Sequence, residues 1–546
     1  MDLSVLIPAR NEDYLLPTIN TILAARERST EIIVVADGQW PVEPIPDHPD
    51  VHLIYHPQSI GQRAATNEAA RAARGTFVMK LDAHCMVGPG FDRLLIEPYE
   101  DGTLDRTVTT MPRLYNLHVF DWVCPSCGLH FYQGPEKTEC GSRDDKGTFV
   151  PKSGCGAKGP LRKELIWQPR WNRMTDHMRF DQEMKFQYWK DYKRRPDANP
   201  ANDFPELMGN LGACIFMKRD RFFELGGMDE AHGSWGQFGT EISCKSWLSG
   251  GRQVTNRRTW YSHLFRTQPG FSFPYPNRGR DQDHARDYSR KLWLGNYWPG
   301  QIRPLSWLIR KFWPVPDWSD PGPAPTPGAV YFTDSQLDPA IGDPCRAQLL
   351  RALPSGTDLV SVSLQPLDLG RNVVLPLERS RLTMFRQILQ GLETSTADHV
   401  FLCEHDVLYH PSHFDFIPPR DDTFYYNAHV WRVRMTDGFA VTYDMHSVSG
   451  LCANRQLLLS HYRKLVEGVS VSGYDHKLGY EPGLGTSQLK TWRSAQPNVD
   501  LRHGKNLTAS RWHPSEFRDI STCQGWQVAD VVPGWGRFPT RLQELN

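Results

Sequence analysis

The sequence predicts an α/β chain built from two doubly wound sheets of similar plan. Three observations carry that expectation. Short β-branched runs alternate with helical stretches over the first 80 or so residues, a proline-rich break interrupts the chain beyond its middle, and a fainter version of the same alternation follows it.

Leu3–Pro8 and Glu31–Asp37 are strand-like runs, separated by Leu15–Arg28 with helical spacing. Val51–Tyr55 reads as a third strand and Gln62–Arg74 as a second helix. The apolar run Thr76–Lys80 then completes a β-α-β-β-α-β pattern. In such sheets ligands bind beyond the carboxyl ends of the strands. Those ends are Pro8-Ala9-Arg10-Asn11-Glu12, Ala36-Asp37-Gly38 and Asp82-Ala83-His84. Residues 313–328 contain six prolines and read as a linker, because proline can continue neither a helix nor a central strand. Ala329–Thr333, Leu359–Leu364, a helix over Ser380–Leu392 and Val400–Cys403 restart the pattern, ending in Glu404-His405-Asp406. The expected domains are therefore 1–312, the linker, and 329–546.

Formal charge is balanced at 62 basic and 62 acidic residues, but the basic excess lies in the middle third. Met1-Asp2-Leu3 leads straight into a strand-like run, and no apolar stretch approaches the ~20 residues of a membrane helix. A soluble, cytoplasmic enzyme with no membrane partner is expected. Eleven cysteines in 546 residues do not make a secreted disulfide framework.

The central motif is Leu81-Asp82-Ala83-His84-Cys85 at a strand end. Asp-x-His presents a hard carboxylate and a borderline imidazole at one point, a pairing suited to a divalent ion such as Mn²⁺ that also holds phosphate oxygens. Alone it is more often the pattern of a turn aspartate before a surface or core histidine.

Further motifs follow in order: Ile7–Glu12, Gly209–Asp229, Trp235–Gly251, and Ser262-His263-Leu264-Phe265-Arg266 with Phe271–Pro274. Together with Asp82–His84 they resemble nucleotide-sugar glycosyltransferases of family 2 with the GT-A fold. The likeness is to the polypeptide N-acetylgalactosaminyltransferase branch and its bacterial and phage relatives, over roughly residues 1–275. The resemblance implies a GT-A sheet followed by a diverged GT-A-like domain, a UDP-sugar donor, and Mn²⁺ (or Mg²⁺) bound by Asp82, His84 and His263. It places Asp37 at the uridine, Gly61 and Arg63 near the pyrophosphate, and Arg266 near the diphosphate. Pro8, Arg10, Glu12 and Trp235 complete the implied donor site. A metal and a cation together stabilise charge developing on a departing diphosphate.

One departure stands out. The family's Trp-Gly-Gly-Glu-Asn-Leu-Glu pattern is here Trp235-Gly236-Gln237-Phe238-Gly239-Thr240-Glu241. Phe238 replaces an acidic sugar contact, and Gly239 stands where inverting relatives place a general base. Glu241 is left as a sugar contact, a base or a helix-capping carboxylate, and with Asp82 it is the catalytic candidate. A missing base favours a retaining mechanism.

Two segments bear on the acceptor. Cys124-x-x-Cys127, Cys140 and Cys155 lie in a glycine-rich stretch (121–160) and suit a closed structural Zn²⁺ site, against the alternative of scattered thiols. Residues 252–311 carry twelve Lys and Arg against three Asp, threaded with aromatics. That is the composition of a nucleic-acid groove, or of a solvated basic face over an aromatic core. Together they set the expectation of a glycosyltransferase similar to phage enzymes acting on 5-hydroxymethylated pyrimidines in DNA. The alternatives are a protein Ser/Thr or surface-glycan acceptor, and a nucleic-acid-binding protein with a degenerate transferase fold. In the second half, Glu404 or Asp406 with His503 could form a second metal or acceptor site, or the sheet could bind acceptor without a second reaction.

Overall fold

The computed structural model describes the chain except residues 151, 172–175, 197, 267–270, 276–278, 475–480, 507 and 545–546. The chain divides into two compact units, the first comprising Met1–Trp298 with Lys311–Asp320, the second Pro299–Arg310 with Pro321–Asn546. Among the described residues no helix is long and apolar enough to cross a membrane.

In the first unit the sheet runs Val51–His56, Thr30–Asp37, Leu3–Ala9, Phe77–Leu81, Cys214–Lys218, Val108–Val123, Arg252–His263, Cys85–Val87. The first four strands are parallel. Leu3–Ala9 and Thr30–Asp37 are buried along their whole length, as expected of strands covered on both faces. Helix Leu15–Ala25 buries Leu15, Thr18, Ile19 and Ile22, a 3.6-residue stripe. Helix Gln62–Ala72 instead buries Ala65, Ala69 and Ala70, small side chains that let it lie close against the sheet. Cys214–Lys218 enters antiparallel and ends the parallel run. Strand Arg252–His263 then runs parallel to Val108–Val123 and antiparallel to Cys85–Val87.

The second unit repeats this plan strand for strand. Its main sheet is ordered Arg371–Val374, Asp358–Ser363, Pro327–Thr333, His399–Glu404, Leu451–Asn454, Phe424–Asn427, Leu489–Trp492, with the first four parallel and Leu451–Asn454 reversed. The two long strands of the first unit are each broken in the second. Phe424–Asn427 resumes as Val430–Arg434 and Leu489–Trp492 as Asn498–Arg502, in a separate sheet with Val407–Leu408. The GT-A-type doubly wound plan followed by a diverged copy is therefore the observed fold.

The proline-rich segment is not a free spacer. Within the first unit Arg195 donates to the carbonyls of Phe312, Trp313 and Pro314. Arg179 pairs with Asp317, and Trp318 Nε1 donates to Phe180 O at 2.9 Å. Proline lacks an N–H but keeps its carbonyl acceptor, so such a strap binds well to arginines. Residues 299–310, ahead of it, belong with the second unit instead.

Candidate active site

The strand Phe77–Leu81 delivers Asp82 to the carboxyl edge of the first sheet, and the turn into Cys85–Val87 places His84 beside it. His263 ends strand Arg252–His263 and pairs with Cys85, and Leu264 N donates to His84 O at 3.2 Å. Strand pairing thus joins residues about 180 positions apart.

His84 Nε2 lies 3.1 Å from His263 Nε2, and His263 Nε2 lies 3.3 Å from Asp82 Oδ2. Cis ligands around an octahedral ion with bonds of about 2.1 Å stand about 3 Å apart, so this spacing fits a divalent cation. The protonation states fit as well. Burial, ahead of the opposing pull of Asp82, lowers His263 to about 4, which leaves a neutral imidazole. Burial alone would raise Asp82. Lys80, followed by His263 and His84, holds it well below the usual carboxylate range.

Around these three, Glu12 Oε1 accepts from His84 Nδ1 at 2.9 Å, and its other oxygen pairs with Arg266. A proton fixed on Nδ1 leaves Nε2 free to ligate. Glu12 is therefore a carboxylate behind the histidine, saturated by two neighbours, and its direct contact with donor is not the role its geometry favours. Arg266 is 7% exposed, also donates to Ser272 O at 2.8 Å, and borders the same cleft. Pro8, Gln62, Trp235, Gln237 and Tyr275 line that cleft too.

Three other residues behave differently from expectation. Arg63 is buried outside the cleft lining and donates to Glu241 Oε2 (2.9 Å), Gly233 O (3.0 Å) and Gly236 O (2.6 Å). Its donors are committed to protein, so it braces the Trp235 loop and does not reach a pyrophosphate. Glu241 is fully enclosed, with Asp229 N at 2.6 Å and Lys245 Nζ at 2.8 Å besides Arg63. Burial would raise it, but Lys245, Arg63 and His232 bring it down to about 2. Glu241 is neither base nor sugar contact; it is the hub of a buried ion network. Asp37 accepts from Ser59 Oγ, Ile60 N and Gly61 N, clasping the turn ahead of helix Gln62–Ala72. Gly61 sits in that turn at φ +95°, where a Cβ would stand 3.1 Å from Ser234 Oγ. Arg10 lies over the Tyr275 ring, 5.9 Å from its centroid.

Two functional candidates were not legible in the sequence. Lys80 reads as part of an apolar strand, yet its amine turns under the sheet edge to Asp82 and to Gly212 O at 2.8 Å. Gln237 stands at φ +58° with its amide oxygen buried, without a partner, in the cleft wall. The signal for Gln237 was only its place beside the aberrant Phe238.

The four cysteines converge, with all sulfurs within 4.8 Å of one another. The basic segment, by contrast, is largely neutralised within the protein. Arg257 pairs with Asp176 and three carbonyls, Arg258 with Asp203, Arg290 with Glu183 and Lys311 with Glu206; Arg278 lies outside the described residues.

In the second unit Leu501 N donates to Asp406 O at 2.9 Å, the counterpart of the Leu264–His84 bond. Asp406 therefore stands where His84 does, Glu404 where Asp82 does, and His503 where Arg266 does. His405, Asp406 and His503 lie together, but His503 Nδ1 accepts from Lys505 N. Its Nε2 faces both Asp406 Oδ2 and Asn506 Nδ2 at 3.4 Å. The expected trio Glu404, Asp406 and His503 is not the one brought together: His405, not Glu404, joins Asp406 and His503.

Comparison with known proteins places residues 4–123 on the model of glycosyl transferase family 2. The probable N-acetylgalactosaminyltransferase 8 of Caenorhabditis elegans is 26% identical over 237 residues, covering 42% of this chain and 42% of that protein. N-acetylgalactosaminyltransferase 7 of Rattus norvegicus is 26% identical over 231 residues, 42% of this chain and 29% of its own. A crystal structure of GalNAc-T7 with UDP, GalNAc and Mn²⁺ is 18% identical and covers 58% of this chain and 53% of that one, with a TM-score of 0.37. The chain spans less than half the length of these curated relatives.

Proposed function

We propose that the chain is a divalent-metal-dependent glycosyltransferase that moves a sugar from a UDP-sugar to a hydroxyl acceptor. One observation carries this reading: Asp82, His84 and His263 converge at ligand spacing in a cleft, and Asp82 and His84 lie in the segment, residues 4–123, that matches glycosyl transferase family 2. A cation held there would offset the charge of the leaving diphosphate. Arg266 supports the same charge from the side, and Lys80 keeps Asp82 ionised. Glu12 holds His84 in its ligating tautomer.

Among the described residues the cleft offers no carboxylate besides Glu12 and Asp82, and both are committed. That supports transfer with retention, the acceptor being deprotonated on the leaving-group face. The buried Gln237 oxygen is suited to accept from a sugar hydroxyl, next to Phe238, whose ring cannot serve as an acceptor.

For the acceptor, the relatives named as N-acetylgalactosaminyltransferases, some of them polypeptide enzymes, favour a protein Ser/Thr or glycan hydroxyl over hydroxymethylated DNA. The ion-paired state of residues 252–311 points the same way, because arginines bound to Asp176, Asp203 and Glu183 are not free for phosphates. The test is a UDP-release panel with UDP-glucose, UDP-N-acetylglucosamine and UDP-N-acetylgalactosamine against a Ser/Thr peptide, a glycan and hydroxymethylated DNA. Release with peptide or glycan is expected; release confined to DNA would reverse the acceptor assignment.

A further inference from the structure

Strand Val108–Val123 does not stop at the sheet. Its far end pairs with His130–Tyr132 and with Arg162–Arg170, forming an arm whose outer loops span residues 124–161. Little apolar material holds those loops. The cluster at their base consists of Cys124, Cys140 and Leu161, with Trp122, Phe131 and Ala157 packed against it. Peptides of about 40 residues rarely fold on so small a core without a staple.

The four cysteines supply the geometry of one. Cys124 Sγ and Cys155 Sγ are 3.7 Å apart, and Cys127 Sγ and Cys140 Sγ 3.6 Å. A tetrahedral ion with metal–sulfur bonds of about 2.3 Å sets its sulfurs about 3.8 Å apart, whereas a disulfide brings them to about 2 Å. The backbone around them is formed for the purpose. Gly128 N donates to Cys124 O, closing a turn at φ +70°, and Cys155 N donates to Cys140 Sγ at 3.4 Å. Gly154 lies so close to Cys140 that a Cβ would stand 2.4 Å from its carbonyl oxygen.

We propose that Cys124, Cys127, Cys140 and Cys155 bind one structural Zn²⁺ that holds the arm. Four thiolates with no open position make a closed site without chemistry of its own.

The site is remote from the transfer centre yet connected to it. Across the sheet Cys85, His263, Asn116 and Arg170 pair in one row, so the inner end of the arm lies two strands from His263. The cysteines lie at its outer end, beyond Val123, which at ~3.3 Å per residue is roughly 20 Å along the strand. Zinc there is expected to fix the arm, while the Mn²⁺-type site works independently.

The experiment is zinc analysis of the purified full-length chain, with mercurial titration in the presence of a zinc-binding dye and limited proteolysis as readouts besides activity. Expected is one zinc per chain, released by the mercurial, with an X-ray absorption shell of four sulfurs at about 2.3 Å. C127S/C155S should lose the zinc and become cleavable within 124–161, whereas D82A should keep it. A single C155S, which retains three thiolates, guards against wholesale misfolding and should bind zinc more weakly. Zinc well below one equivalent, a disulfide between any of these cysteines, or zinc lost in D82A but kept in C127S/C155S would overturn the proposal.

Discussion

Glu12 Oε1 accepts from His84 Nδ1 at 2.9 Å, and this bond settles which imidazole nitrogen faces Asp82 and His263. Replacing Glu12 by Gln keeps the shape and removes the charge. Loss of such a supporting carboxylate typically weakens metal affinity about 10–100-fold. E12Q should need that much more Mn²⁺ for half-maximal UDP release, with activity recovering at saturating metal. An unchanged metal requirement would show that the bond does not tune the ligand.

Glu241 concerns stability. Its charge is balanced by Arg63 and Lys245 in a space without water access. E241Q leaves Arg63 and Lys245 facing an uncharged amide, and breaking a buried pair costs about 3–5 kcal/mol. The pH dependence follows from the sign of the shift. The folded group titrates at about 2 against 4.5 unfolded, so its contribution is complete above about 4.5 and fades as pH falls toward 2. Denaturant titrations from pH 7 to pH 3 should show the wild type losing stability in the acidic range and E241Q losing less there.

Gln237 bears on donor choice. Q237A should raise the KM for the preferred UDP-sugar about tenfold while leaving UDP affinity unchanged, because its buried oxygen has no protein partner to lose. Equal loss of UDP binding would mark the residue as structural.

The basic segment yields a negative expectation for DNA. Six to ten phosphate contacts would lower affinity about 10³–10⁵-fold between 50 and 200 mM salt. With Arg257, Arg258 and Arg290 paired internally, less than a tenfold change is expected in a duplex-binding assay, and R257A should lower thermal stability without altering that slope.

Much of this site was legible because a strand end fixes direction. Asp82 and His84 follow an apolar run, and His263 ends the strand Arg252–His263, so both strands point their last residues at the same edge. Arg63 and Glu241 were misassigned because both lie on helices, where a motif match does not reveal which face meets the cleft. Here Arg63 and Glu241 meet each other, across 178 residues. Lys80 was hidden by its neighbours, since one amine in a buried strand is indistinguishable from a residue turned to solvent until the sheet is built. In the second half the Glu404-His405-Asp406 motif looked like a second ligand set. Only the Leu501–Asp406 bond shows its register, and only the folded chain shows that His405, not Glu404, meets Asp406 and His503.

The most direct measurement is calorimetric titration of UDP into the wild type and H263A, with Mn²⁺ and with EDTA. If Asp82, His84 and His263 hold the cation that receives the diphosphate, UDP binds tightly only to wild type with Mn²⁺. The affinity falls at least tenfold in EDTA and in H263A, while both proteins unfold at similar temperatures. Equal UDP affinity with and without metal, or in H263A, would contradict a metal–diphosphate site at this strand end.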